Sequence, residues 1–280
     1  MYAGKKLRWR RFCASGSGHS LLVPIDHGLT LGPLLGIENV AAIGRWVSHP
    51  SITGIVAHKG IIERLAAREL LGASGVMVHL NGMSSLAPTP DRKEMVTEIE
   101  TAIRLGADGV SVQVNFDGAA DAHNLMLLGR VVDAAQTYGL PVLTMLYDKV
   151  ASPDALGTRR RLRQWMRAAV ELGTDAIKIG APRARSELVP LLEGISDDVA
   201  IVVAGGELGS DVDTIALAVA ARAAGAAGIC IGRNVFCRPS PGDVLGRLHV
   251  AMAPSAGDAP RLAATTARHA ADWSAHGAAE

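Results

Sequence analysis

The chain has 280 residues, of which 49% are hydrophobic but only 4% aromatic, and its formal net charge is +1. That length suits one large domain with an aliphatic core, since an eight-stranded barrel with its helices takes about 250 residues. The near-neutral balance gives no global field toward nucleic acid or membrane, and the three scattered cysteines exclude a disulfide framework and fit a reducing cytoplasm.

Residues 1–20 begin with a basic cluster, Lys5-Lys6-Leu7-Arg8-Trp9-Arg10-Arg11. No apolar run follows it, which argues against a secretory leader. This N-terminal extension is expected to cover the bottom of the fold or to contact a second copy. Short apolar runs of strand length then recur at 21–26, 54–59, 75–80, 109–115, 141–147, 176–181, 200–206 and 228–233, most of them rich in Val and Ile. Stretches of helical period lie between them. Met95, Ile99, Ala102 and Ile103 form one stripe, Leu162, Trp165, Met166, Ala169 and Val170 a second, and Val212, Ile215, Ala216 and Val219 a third. A second basic cluster, Arg159-Arg160-Arg161-Leu162-Arg163, reads as a solvated face or a subunit contact rather than a nucleic-acid surface. From about 253 the chain is rich in Ala, with Arg261, Arg268 and His269, and reads as a peripheral helix or loose tail. No run reaches the ~18 apolar residues of a membrane span, and no domain boundary falls inside 21–250.

Strand–helix alternation implies parallel strands joined by crossover helices. Four of the connections echo one another: Gly72-Ala73-Ser74-Gly75, Gly106-Ala107-Asp108-Gly109, Gly173-Thr174-Asp175-Ala176 and Gly225-Ala226-Ala227-Gly228. A glycine after a helical stripe ends the helix, because it enters the left-handed region without steric cost. Eight such units predict a single (β/α)₈ barrel over 1–280. A doubly wound open sheet is the alternative. It would place a glycine-rich phosphate loop after the first strand, and Asp26-His27-Gly28-Leu29-Thr30 is not one.

In a barrel, chemistry gathers at the C-terminal ends of the strands. Lys178 stands inside the apolar run Ala176-Ile177-Lys178-Ile179-Gly180, where an unpaired ammonium is costly. Burial lowers a lysine's pKa, and the neutral amine attacks carbonyls. A paired structural lysine is the bland alternative, and Lys59 at the end of the second strand is a competitor that the sequence does not separate from it. Asp26 can act as base or hold a lysine's charge, or simply cap a loop. Tyr147, one strand from Lys178, can donate and recover a proton. Gly205-Gly206 and Gly232-Arg233-Asn234 follow the last two strands, where barrels bind phosphate. His27, His58 and His79 end the first three strands and could bind zinc, although no metal-ligand spacing supports it.

Val23-Pro24-Ile25-Asp26-His27-Gly28, with Gly32-Pro33 and Gly36-Ile37, resembles the opening of the archaeal-type class I aldolases. The resemblance continues through His58-Lys59-Gly60, Gly109-Val110-Ser111-Val112-Gln113-Val114-Asn115, Met145-Leu146-Tyr147, Ile177-Lys178 and Ala204-Gly205-Gly206, and ends at Ile231-Gly232-Arg233-Asn234-Val235-Phe236. It implies Lys178 as the Schiff-base lysine, Tyr147 as acid/base and Asp26 as the supporting carboxylate. It also implies His27, Lys59, Gly205, Gly206, Gly232 and Arg233 as substrate and phosphate contacts. No metal or organic cofactor is implied. The opening and the His-Lys-Gly motif are most similar to the aminodideoxyheptulosonate synthases and the related aminohydroxybenzoate-pathway aldolases. Those join a phosphorylated ketone donor to L-aspartate 4-semialdehyde. Fructose-bisphosphate cleavage, a thiolase-like acyl transfer and a non-catalytic sugar-phosphate barrel are the rivals. The resemblance also implies a homo-oligomer, possibly a decamer. One departure stands out: Gly205-Gly206-Glu207-Leu208 replaces the usual Gly-Gly-Pro-Lys.

Overall fold

The computed structural model describes residues 3–253, so the Ala-rich stretch expected as a tail lies almost wholly outside them. In chain order its strands are β1 (Ser20–Pro24), β2 (Gly54–Ala57), β3 (Gly75–His79), β4 (Asn81–Gly82), β5 (Glu94–Met95), β6 (Gly109–Phe116), β7 (Val142–Asp148), β8 (Ala176–Ile179), β9 (Ala200–Ala204) and β10 (Gly228–Cys230). Eight of them close into a barrel in the order β1-β2-β3-β6-β7-β8-β9-β10, with β10 paired back to β1 and every pairing parallel. The eight predicted runs are these eight strands. The antiparallel β4–β5 ribbon, inserted between β3 and β6, was not predicted. No helix among the described residues is long and apolar enough to cross a membrane.

Side chains alternate between the barrel's interior and its helix-covered outer wall. On β8, Ala176 belongs to the interior cluster while Ile177 and Ile179 join the outer core. On β7, Leu143, Met145 and Tyr147 face inward and Val142 and Leu146 outward. Lys178 shares the parity of Ala176, so the register that closes the barrel aims it inside.

The N-terminal extension closes the bottom. A helix (Ala3–Trp9) and a 3-10 turn (Arg10–Phe12) carry Phe12 into the interior, where it is fully buried. The strand-initial glycines make room for it: a Cβ at Gly54, Gly75 or Gly109 would come within 2.6, 2.8 or 3.2 Å of the Phe12 ring. Of the repeated connections, the first glycines (Gly72, Gly106, Gly173, Gly225) take positive φ as helix stops, whereas Gly75 and Gly109 serve the plug. Lys5 Nζ donates to Asp175 Oδ2 at 2.8 Å with both groups buried, and Asp175 also accepts from the Val142 amide at 2.9 Å.

Two predicted stripes need correction. Met95 lies in β5 and the helix begins only at Ile99 (Ile99–Arg104), with Ile103 partly exposed. The helix Asp211–Ala223 buries Thr214, Leu217, Ala218 and Ala221, while Val212 and Val219 are exposed at 71% and 41%. The small residues pack closer to the sheet, and that face won over the more apolar one. The basic cluster at 159–163 is largely tied within the fold. Arg159 pairs with Glu187, Arg161 with Asp148, and Arg163 donates to the carbonyls of Pro190, Leu191 and Glu193.

Candidate active site

The C-terminal mouth of the barrel holds a cavity of ≈ 220 Å³ lined by Asp26, His27, Tyr147, Lys178 and Arg233, together with Thr30, Leu31, Gln113, Met145 and Lys149. All three residues expected to do the chemistry therefore share one space. Lys178 is only 5% exposed and its register partner on β7 is Met145. Tyr147 stands two residues farther along β7, about 6.6 Å nearer the mouth. Lys178 Nζ makes a weak contact to Met145 Sδ at 3.8 Å and also faces the Cys230 thiol.

Asp26 is the electrostatic hub. His27 Nδ1 lies 3.6 Å from Oδ1 and His79 Nε2 lies 3.7 Å from Oδ2, both too long for good hydrogen bonds. Burial pushes this carboxyl up, but His79, His27, Lys178 and His58 around it outweigh that and hold it well below the usual carboxylate range. His79 is driven the other way. Burial, opposed by Asp26, takes it down to about 3, so at neutral pH it is an uncharged imidazole and Lys178 is the cation that balances Asp26. His79 Nδ1 is 2.7 Å from Ser111 Oγ. The neutral tautomer with hydrogen on Nε2, facing Asp26, lets Nδ1 accept from the serine.

The expected fall in the Lys178 pKa is not what the surrounding groups produce. Burial pulls it down, yet Cys230, Tyr147 and Asp26 together raise it above the ordinary lysine value. The Cys230 thiol is itself pushed up to about 11 by burial, so near neutrality it is no anion and Asp26 is the charge that keeps Lys178 an ammonium. An amine in this position would have to lose that proton before it could attack a carbonyl.

Beside this centre, the loops after β9 and β10 meet. Gly206 has φ +71 with open space where a Cβ would be. Gly232 is packed: a Cβ there would lie 2.8 Å from the Pro24 carbonyl oxygen and from the His27 ring. The Arg233 Nε is buried with no hydrogen-bond partner among the described residues. A buried unpaired guanidinium nitrogen beside a glycine loop suits an anion that arrives with the ligand. Asn234 ties the two loops together. Its Nδ2 donates to the carbonyls of Gly205 and Glu207 at 3.0 and 2.7 Å, and its Oδ1 accepts from the Gly209 amide at 2.9 Å.

Residues 20–238 match the family described as DeoC/LacD family aldolases. The chain belongs to that family. It is 35% identical over 247 residues to 2-amino-3,7-dideoxy-D-threo-hept-6-ulosonate synthase 1 of Archaeoglobus fulgidus, covering 88% of this chain and 90% of the relative. It is 32% identical over 249 residues to 2-amino-4,5-dihydroxy-6-oxo-7-(phosphonooxy)heptanoate synthase of Streptomyces griseus, covering 87% and 88%. Among solved structures, an archaeal fructose-1,6-bisphosphate aldolase superposes with a TM-score of 0.74 at 24% identity, over 88% of this chain and 96% of that one. That likeness shows a shared barrel fold.

Some expected positions fall elsewhere. Lys59 is not on a strand: β2 ends at Ala57 and Lys59 opens the helix Lys59–Ala66, exposed and donating to the Val96 carbonyl at 2.7 Å instead of lining the cavity. That removes it as a rival of Lys178 and places it against the segment after β5. The three strand-end histidines surround Asp26, and among the described residues no group of three or more His, Cys, Asp or Glu has metal-holding geometry. Other residues at the site went unread. Cys230 shares the interior with Lys178, a placement that follows only from strand parity. Lys93 is buried at the mouth, although Asp91-Arg92-Lys93-Glu94 reads as a solvated charge run.

Proposed function

We propose that this aldolase joins a phosphorylated ketone to an aldehyde through a Schiff base on Lys178. The observation that carries the reading is a buried lysine on the inner face of the sixth barrel strand, opening onto a cavity with a carboxylate and a phenol. Once deprotonated, Lys178 Nζ attacks the donor carbonyl carbon, and the carbinolamine loses water to give an iminium. Loss of a proton from the adjacent carbon yields an enamine, whose carbon adds to the acceptor aldehyde. The developing alkoxide takes its proton from Tyr147. Water then hydrolyses the iminium and frees Lys178. Asp26, held ionised, balances first the ammonium and then the iminium. Arg233 with the Gly206 and Gly232 loops receives the donor phosphate.

The relatives' products support the choice of substrates. The Streptomyces relative's name describes a β-hydroxy ketone. Breaking its C4–C5 bond gives dihydroxyacetone phosphate and aspartate 4-semialdehyde. The same cut in the Archaeoglobus relative's product leaves a donor fragment without the terminal oxygen, which a deoxyketohexose phosphate would deliver by transfer. The unpaired Arg233 beside the cavity favours a donor that keeps its phosphate next to the ketone, hence dihydroxyacetone phosphate with L-aspartate 4-semialdehyde. Cytoplasmic work as a homo-oligomer belongs to the same proposal, with exposed Val212 and Val219 as apolar surface for a second copy.

Borohydride reduction with dihydroxyacetone phosphate tests the nucleophile, because it fixes the imine as a secondary amine that mass spectrometry can place. The donor mass should sit on Lys178, and Lys178→Met should abolish both label and turnover. Tyr147→Phe should still label while slowing turnover by about 10²–10⁴-fold. Label on another lysine, or no label with activity lost to a chelator, would refute the proposal.

A further inference from the structure

Lys93 is a buried lysine that the mechanism above does not use, and it is only 4% exposed. It precedes β5 on the segment that folds over the mouth, and that segment is fastened to its surroundings. Asn115 Nδ2 donates to the Asp91 carbonyl at 3.0 Å, and His123 Nε2 lies 2.9 Å from the Lys93 carbonyl. The Lys93 ammonium lies within Coulombic reach of Asp91 and Lys149 and, more weakly, of Asp26. No hydrogen bond or ion pair holds it among the described residues. Asp91 Oδ1 is 3.3 Å from Lys149 Nζ, and Lys149 stands 5.8 Å from the centre of the Tyr147 ring and lines the cavity. Two ammonium groups thus share one carboxylate beside the residue assigned to the acceptor's proton. In the barrel order β6, whose Asn115 holds the Asp91 segment, lies directly across from β10, which leads into Arg233.

From this arrangement we infer that Asp91, Lys93 and Lys149 form the acceptor subsite and that it takes an α-amino-acid head group. The acceptor's carboxylate would lie between Lys93 and Lys149, and its ammonium on Asp91. A second phosphate fits less well, because Asp91 would face a dianion, whereas a zwitterion meets both signs of the cluster. The inference rests on the proposed function, and it makes the two ends of the cavity chemically different: phosphate on the Arg233 side, amino acid on the Lys149 side.

The test compares kcat/KM for L-aspartate 4-semialdehyde, glyceraldehyde 3-phosphate and propanal with dihydroxyacetone phosphate saturating. The wild type should prefer the amino-acid aldehyde. Lys93→Met should lower its preference over propanal by about 10–100-fold, the loss of a charge-assisted hydrogen bond, and Lys93→Arg should restore most of it. Asp91→Asn should weaken the amino-acid aldehyde while improving glyceraldehyde 3-phosphate. A preference untouched by Lys93→Met, a wild type that does not turn over the semialdehyde, or glyceraldehyde 3-phosphate as the Lys93-dependent acceptor would each overturn the assignment. Borohydride labelling in the same wild-type samples separates the failures. Label without the expected discrimination sinks this subsite alone, and absence of label sinks the proposed function beneath it.

Discussion

At the scale of single residues, the mouth is a compact charge problem. Asp26 is ionised, Lys178 is protonated, and His79 is neutral although it stands beside the carboxylate. His79 is 2% exposed, and burial takes its pKa to about 3, below the ordinary histidine value of 6.5. The unfolded chain therefore binds this proton first. Stability from His79 is complete above about 6.5 and drains away as pH falls toward 3. Between pH 7 and pH 5 this side chain alone should remove roughly 2 kcal/mol, at ~1.4 kcal/mol per unit once the unfolded histidine is charged. Asp26 does not contribute in that window, because a carboxyl held low loses its stabilisation only below its ordinary value of 3.8. Urea unfolding at the two pH values should show His79→Gln losing about 2 kcal/mol less than the wild type. Equal losses would mean that His79 is charged in the folded chain.

At the scale of elements, buried asparagines fasten the loops of the mouth. Asn81 Nδ2 donates to the Gln113 carbonyl and Oδ1 accepts from the Gln113 amide, both at 2.8 Å. Asn124 Nδ2 donates to the Asn115 carbonyl at 2.6 Å, and Asn115 and Asn234 hold the segments already described. Asn81, Asn115 and Asn234 stand at or just beyond strand ends, but their partners are backbone groups distant in sequence. That scaffolding role has no local signature. The β4–β5 ribbon was illegible for a related reason: two-residue strands have no period to detect. The loop after β10 allows the two roles to be told apart. Arg233→Ala should raise the donor KM by about 10–100-fold and leave stability nearly unchanged, since its Nε has no partner to lose. Asn234→Ala strands the Gly205 and Glu207 carbonyls and should cost about 2–4 kcal/mol in urea unfolding. If Arg233→Ala destabilised as much as Asn234→Ala, Arg233 would be structural and the phosphate site would lie elsewhere.

Across the whole molecule, the barrel was legible because eight apolar runs and four repeated connections gave the strand count and the parallel direction without any tertiary information. The orientation of each strand was not. Strands buried on both faces carry no polar–apolar alternation, so the sequence could not say that Lys178 points inward, and Lys59 looked equivalent until β2 proved to end at Ala57 and Lys59 to open the next helix. The bottom plug was hidden for the same reason. Nothing in Arg11-Phe12-Cys13 tells where Phe12 goes, and the strand-initial glycines looked like parts of turns. Their true relation gives a coupled prediction. Phe12→Ala should destabilise by about 3–5 kcal/mol, as the loss of a fully buried aromatic does. Gly75→Ala alone should cost about 1–3 kcal/mol, because its methyl group would lie 2.8 Å from the Phe12 ring in a close-packed interior. The double variant should be more stable than the sum of the two losses allows, since the space vacated by the ring receives the methyl group and the clash disappears. The Arg11 carbonyl, 3.1 Å from the same added carbon, keeps the recovery partial. Urea unfolding of the four proteins measures the coupling. Strict additivity would show that Gly75 serves the turn rather than the plug.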